Sequence, residues 1–244
     1  VTDSPGPAAD PGRPGGHDEP GRHPPMPTIS LGLLALGAGA TDALSWAGLG
    51  GSFTSVMTGN LVLLGLALGE PAPMGAVRPA VAICAFIVGV YVAALWLRRA
   101  RAEDATSWPD RVSVTLGMVA LVQVGVLLCW LAGLGDGGPG QQSVLIALSA
   151  IAMGAQSAAV SALALAGAAT TYLTGTLASL TTELATTGRP ATMRRRFTVL
   201  LALLLGAVLE AALLTGVRPV APALPLVATL AAIVVMGLRR PARP

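Results

Sequence analysis

Between Thr28 and Leu238 the chain is a succession of long apolar runs joined by short polar connections. No other feature restricts the fold as strongly. Inside a bilayer no water is present to satisfy backbone N–H and C=O groups, so a segment that crosses must satisfy them itself, as a helix does. Only 11% of the residues are charged and 53% are hydrophobic, with a mean hydropathy of +0.71. A soluble domain carries about 25% charged residues. The expected class is therefore all-α: a polytopic transmembrane helical bundle whose first partner is the lipid bilayer.

The apolar segments are expected at about 29–48, 52–69, 76–97, 112–134, 143–167, 171–186, 197–216 and 220–238. Two of them, 52–69 and 171–186, fall short of the ~20 residues that a crossing helix needs. Residues 1–27 are rich in Pro, Gly, Asp and Arg. They lack the apolar content for a core and are expected to be a disordered tail. No apolar h-region marks a signal peptide there. The chain begins at Val1, and Met26 offers an alternative start. The membrane domain is expected over 28–238, followed by a short cytoplasmic end at 239–244.

A repeat is visible when the chain is shifted by about 116 positions. Thr58-Gly59-Asn60-Leu61 then falls on Thr174-Gly175-Thr176-Leu177, and 76–97 falls on a second apolar run. Halves of about 28–134 and 143–238 are expected.

Charge orients these halves. All 15 basic residues are arginine. They sit at segment ends rather than on one basic face, so nucleic acid is not an expected partner. Arginine-rich loops stay in the cytoplasm. If all eight segments crossed, the loops 98–111 and 189–196, with four arginines each, would lie on opposite faces. If the two short segments turn back, both loops, the tail and the C-terminus share the cytoplasmic face, leaving only Arg78 and Arg218 outside. Six crossings with two re-entrant segments fit best, and a seven-crossing version fits nearly as well. In the six-crossing arrangement the halves are inverted, a recurring build of transporters.

The stretch 41–70, TDALSWAGLGGSFTSVMTGNLVLLGLALGE, concentrates the irregular features. It holds an acid inside an apolar run, a glycine cluster, and the polar triplet Thr58, Gly59 and Asn60. On Asp42, Phe53, Thr58, Gly59, Asn60 and Gly65 the stretch resembles the YoaK family of bacterial multi-pass membrane proteins. That resemblance implies an integral membrane protein of the bacterial inner membrane and carries no activity with it.

Chemistry is expected at few positions. A helix start at Thr58–Asn60 would present unpaired N–H groups and a partial positive charge to a solute. Thr174, Gly175 and Thr176 would face it from the second half. Packing contacts between small and hydroxylated residues explain the same triplets equally well. Asp42 and Glu210 lie deep inside spans. There a charged side chain costs about 2.5–3.5 kcal/mol on insertion scales, which makes each a candidate for solute, proton or cation binding. A structural carboxyl bonded to a neighbouring element is the alternative for both. Gln123 and Gln156 read as interhelical hydrogen-bond formers, and Trp46, Trp96, Trp108 and Trp130 as interface anchors.

Cys84 and Cys129 read as small core residues. No Cys/His cluster, catalytic motif or phosphate loop occurs, so no metal, cofactor or enzymatic activity is expected. The function expected is a secondary transporter or channel for a small solute, with a non-transporting membrane scaffold as the alternative.

Overall fold

The computed structural model describes residues 28–70, 74–103, 108–163, 181 and 190–238. Helix α1 (Thr28–Ala43) continues into a π-helical turn, Leu44–Gly48. It is followed by α2 (Met57–Leu68), α3 (Val77–Glu103), α4 (Trp108–Leu131), α5 (Pro139–Leu163), α6 (Pro190–Gly216) and α7 (Ala223–Leu238). No strand occurs among the described residues. Local sequence sets several boundaries. Pro139 and Pro190 open α5 and α6, where a missing N–H costs nothing. Past the end of α4, Gly133 takes φ +87°, the left-handed geometry that closes helices.

Six helices are long and apolar enough to cross a bilayer: Thr28–Gly48, Val77–Arg98, Arg111–Leu131, Pro139–Ala162, Met193–Gly216 and Arg218–Leu238. The first short segment is not among them. Its helix is the 12 residues of α2, about 18 Å at 1.5 Å per residue, against a hydrocarbon core of about 30 Å. Apart from residue 181, the second short segment, including Thr174, Gly175 and Thr176, lies outside the described residues, as do the tail 1–27 and the end 239–244.

Three tiers of buried side chains fix the direction of every crossing. At one end, Leu31 and Leu34 from the start of α1 meet Leu97, Val112, Leu116, Ala159, Val160 and Ala232, with Val199 against them. At the other end, Leu44 and Leu49 meet Ala82, Val126, Trp130, Leu145, Ile146 and Ala221, with Leu213 and Leu214 alongside. Ala38, Val119, Ala152 and Met153 form the middle tier. Helices α1, α4 and α6 therefore run one way, and α3, α5 and α7 run the other. Helix α1 ends and α3 begins at the same face, and α5 ends and α6 begins at the other. The loops 98–111 and 189–196, with four arginines each, consequently join the bundle at one end.

The densest packing is of α3 on α5 and of α1 on α6, followed by α1 on α7 and α4 on α5. Glycine permits both leading contacts. A Cβ at Gly39 would strike the Leu203 carbonyl, and one at Gly206 would strike the Leu36 carbonyl. In the other pair, Gly89 abuts the Ile151 carbonyl and Gly154 the Phe86 carbonyl. Each glycine sits in a row of small residues, such as Ala85–Gly89–Ala93 and Ala202–Gly206. Without a hydrophobic drive between helices in lipid, such close backbone approach is what holds them together.

The cysteines differ from expectation. Cys84 is exposed on α3 and Cys129 is half-buried. In a bilayer the outer surface of a bundle is as apolar as its core, so an apolar run does not distinguish the two.

Gly39→Ala or Gly154→Ala is expected to destabilise the fold by about 1–3 kcal/mol, the range for overpacking a close contact. Gly117 on α4 has open space where its Cβ would sit, so Gly117→Ala is expected to be neutral or slightly stabilising. Thermal unfolding of the purified protein in detergent compares the three.

Candidate functional site

The irregular backbone after α1 returns into the bundle. Asp42 lies six residues before the end of the π-turn at Gly48, a depth of roughly 9 Å at helical rise. Its carboxylate is reached by Thr54 and Ser55 from beyond the turn. Oδ1 accepts from the Thr54 N–H at 2.7 Å, the Thr54 hydroxyl at 3.0 Å and the Ser55 N–H at 2.8 Å. Oδ2 accepts from the Ser55 hydroxyl at 2.5 Å. These contacts satisfy non-helical N–H groups at membrane depth, where water is not available to do so. Asp42 is buried at 7% exposure and Thr54 at 0%.

The polar triplet serves the same loop. Asn60 clasps the backbone of Phe53 at both ends. Its Oδ1 accepts from the Phe53 N–H at 2.9 Å, and its Nδ2 donates to the Phe53 carbonyl at 2.7 Å. Gly59 leaves room for the Phe53 ring, because a Cβ there would sit 3.0 Å from Phe53 Cδ2. The same ring stacks on Trp46, with centroids 4.8 Å apart and planes 17° from parallel. Thr58 is exposed at the start of α2. Above the loop, Gly50 takes φ +93° and the Arg78 guanidinium packs against it. Arg78 Nη2 donates to Gln142 Oε1 at 2.7 Å, and Gln142 Nε2 to the Gly135 carbonyl at 3.2 Å.

Helix α2 then leaves along the outside of α3. Leu61, Val62, Leu66 and Leu68 are exposed, while Asn60 and Ala67 are buried. The segment is thus a half-length helix pinned at its inner start and apolar on its outer face.

Glu210 is placed quite differently. It is fully buried at 0% exposure, and among the described residues neither carboxyl oxygen has a hydrogen-bond partner. On α6 it lies one turn beyond Gly206, which touches Leu36, and one turn before Leu214, which touches Gly48. Residues spaced by four share a helix face, so Glu210 faces α1 where the α-helix becomes the π-turn. Ser45 on that turn is also buried with an unpartnered hydroxyl. Single π-turns concentrate at functional sites.

A small void lies between α1, α4, α5 and α7, lined by Thr41, Gln123, Ser149, Pro222 and Pro225 among others. Its free space of about 10 Å³ is near the least that holds one water. Among the described residues neither amide atom of Gln123 has a partner. Gln156 does bond across helices, donating from Nε2 to the Leu34 carbonyl at 3.1 Å. Among the described residues no group of three His, Cys, Asp or Glu could hold a metal ion.

The structure therefore brings Asp42, Gly59 and Asn60 together as fasteners of one loop and leaves Glu210 on another helix. The loop residues Phe53, Thr54 and Ser55 and the amide of Gln123 complete the polar interior. Ser55 and Thr54 are visible in the sequence only as hydroxylated residues without a partner, since a turn, not a helical spacing, brings them to Asp42.

The sequence model of a family described as "Protein of unknown function (DUF1275)" matches residues 30–237. The chain is similar to "UPF0700 transmembrane protein YoaK" of Bacillus subtilis (strain 168), at 40% identity over 150 residues. The match spans 62% of this chain and 64% of that relative. No solved structure matches the chain.

Asp42→Ala would leave two buried backbone N–H groups without an acceptor, an expected cost of about 2–6 kcal/mol. Hydrogen exchange should rise over residues 49–60 before the rest of the bundle opens. Unchanged protection across that loop in the variant would show that the carboxylate does not hold it.

Proposed function

The chain belongs to the DUF1275 family, and within that membership we propose that it is a secondary transporter that carries a small solute across the bacterial inner membrane. The observation that carries this reading is Glu210. A buried carboxyl in a membrane span with neither oxygen bonded contributes nothing to the fold and needs a proton or a cation as its partner. Asp42 has a structural account in its four donors; Glu210 has none. A polar group kept at that cost in a span marks a pathway by default.

The helix pairing supports two inverted halves. Exchanging α1 with α5, α3 with α6 and α4 with α7 reproduces the four leading contacts. The α1–α6 crossing at Gly39 and Gly206 corresponds to the α5–α3 crossing at Gly154 and Gly89. Helix α1 starts at the end of the bundle where α5 finishes, so the equivalent helices run in opposite senses. In such folds one half rocks against the other around a site near the midplane. The glycine crossings are the close contacts about which that motion turns. Gln123, Ser149 and Thr41 would face the solute from the central void, with Glu210 carrying the coupling proton or cation. Thr58 would stand at the start of the short helix α2.

The arginine-bearing end is the cytoplasmic one on this reading, by the preference of arginine loops for that side. It includes the loops 98–111 and 189–196 and the C-terminus, and leaves Arg78 and Arg218 at the far face. A second reading, a non-transporting scaffold, is favoured by the closed bonding of Asp42 and Asn60 and by the small size of the central void.

Two experiments test these statements. Proteoliposomes are screened for solute-driven swelling and for proton flux. Glu210→Gln is expected to remove the flux while the thermal transition is retained; an unchanged flux in that variant would remove Glu210 from the pathway, and no flux in the wild type favours the scaffold. Single cysteines at Glu70 and Asp136, in a Cys84→Ala, Cys129→Ala background, are expected to label from outside the cell, and one at Arg98 only after permeabilisation.

A further inference from the structure

Two buried amides form a pattern separate from the fastened loop and from Glu210. The inward stripe of α4 reads Leu116, Val119, Gln123, Val126 and Trp130, all buried. Gln123 is the one amide in that stripe, at 4% exposure, and among the described residues neither of its amide atoms is bonded. A leucine would fill the position without a polar atom, whereas a buried unpaired amide costs free energy. Thr41 and Ser149 share with Gln123 the void of about 10 Å³. The Thr41 hydroxyl donates to the Gly37 carbonyl at 2.8 Å, so it offers the void lone pairs alone. The Gln123 amide offers two donors and an acceptor.

Gln156 stands seven residues along α5 from Ser149, on the same helix face. Its Nε2 donates to the Leu34 carbonyl at 3.1 Å, while its Oε1, in a side chain of 2% exposure, has no partner among the described residues. Ala152 joins the two levels, since it lines the void and also packs with Ala38 and Val119 in the middle tier. Two polar levels are thus separated by a level that includes small side chains along one seam of α1, α4 and α5. Leu44, Leu49, Val126 and Leu145 close the seam at one end, and Leu31, Leu34, Leu116 and Val160 close it at the other.

No charged side chain lines the void or belongs to the three tiers. Glu210 lies on another side of α1. Thr41 is one turn beyond Gly37, where a Cβ would meet Ala228 and Pro225 of α7; Glu210 approaches from α6, which α1 meets at Gly39. An ion in the seam would lose its hydration and find no opposite charge, at a cost far above that of a neutral polar molecule. A neutral molecule with donors and acceptors exchanges its water for the two amides and the hydroxyls.

We propose that this seam is the path of the solute, and that the solute is a small uncharged molecule bearing both hydrogen-bond donors and acceptors, of the class of urea. Gln123 with Thr41 and Ser149 makes one station, and Gln156 makes the next. The closed void has room for one water-sized molecule, and the solute enters as the apolar tiers part. The inference rests on the transporter reading and adds to it the class of the solute, with the coupling proton or cation held apart from it across α1.

The full chain is reconstituted in liposomes, and entry of urea, glycine and choline chloride is followed by stopped-flow light scattering under inward gradients. Urea is expected to enter faster than into protein-free liposomes, and glycine and choline no faster. Gln123→Leu and Gln156→Leu should each slow urea entry by about tenfold, the value of one or two hydrogen bonds, with the thermal transition retained. If Gln123→Leu fails to fold, Ser149→Ala at the same station gives the same readout. Urea entry unchanged in the folded variants would overturn the proposal. Entry of glycine or choline in place of urea would also overturn it and leave the transporter reading standing, whereas a wild type that passes none of the three, nor any other solute, removes both.

Discussion

The carboxylate of Asp42 is the contact on which the rest of the first half depends. A bilayer tolerates non-helical backbone only where protein satisfies its polar groups, and here one side chain does most of that work for the turn at Thr54 and Ser55. Once the turn is held at that depth, Phe53 lies where Asn60 can bond both ends of its peptide unit. Its ring then fits between Gly59 and Trp46. Helix α2 can start inside the bilayer only because this assembly exists. The motif residues are thus a set of mutually dependent fasteners, and their spacing reflects the path of a loop rather than the lining of a channel.

Much of the architecture was legible in the sequence because membranes encode it coarsely. Apolar length identified six spans, and the shortness of 52–69 together with the distribution of arginines indicated that it does not cross. Those signals are one-dimensional and need no knowledge of partners. The role of Asp42 was not legible to the same degree. An acid in a span reads as a pathway residue until its neighbours are known, and Thr54 and Ser55 come to it across a turn with no sequence period. Cys84 failed for the opposite reason, because lipid and protein interior select the same residues. Glu210 and Asp42 look alike as sequence, and only the pattern of donors around each separates them.

The bundle is held by two close crossings. They pair α1 with α6 and α3 with α5. At both, backbone meets backbone through glycine, and the next largest contacts are α1 on α7 and α5 on α4. Such interfaces resist small distortions, since side chains cannot yield where there are none. They still allow one rigid pair to pivot on another. Glu210 lies beside the α1–α6 crossing, one turn beyond Gly206.

The pairing of α1 with α6 also has a consequence for how the protein is made. Gly39 leaves the ribosome 164 residues before Leu203, an interval on the order of ten seconds at bacterial rates of synthesis. Among the six spans α1 has the lowest mean hydropathy, 1.3, and the largest buried share. It is the helix least suited to lipid and the one that waits longest for protein. The nascent first span therefore has to be sheltered by the insertion machinery, or held at its lateral gate, until the final third of the chain arrives.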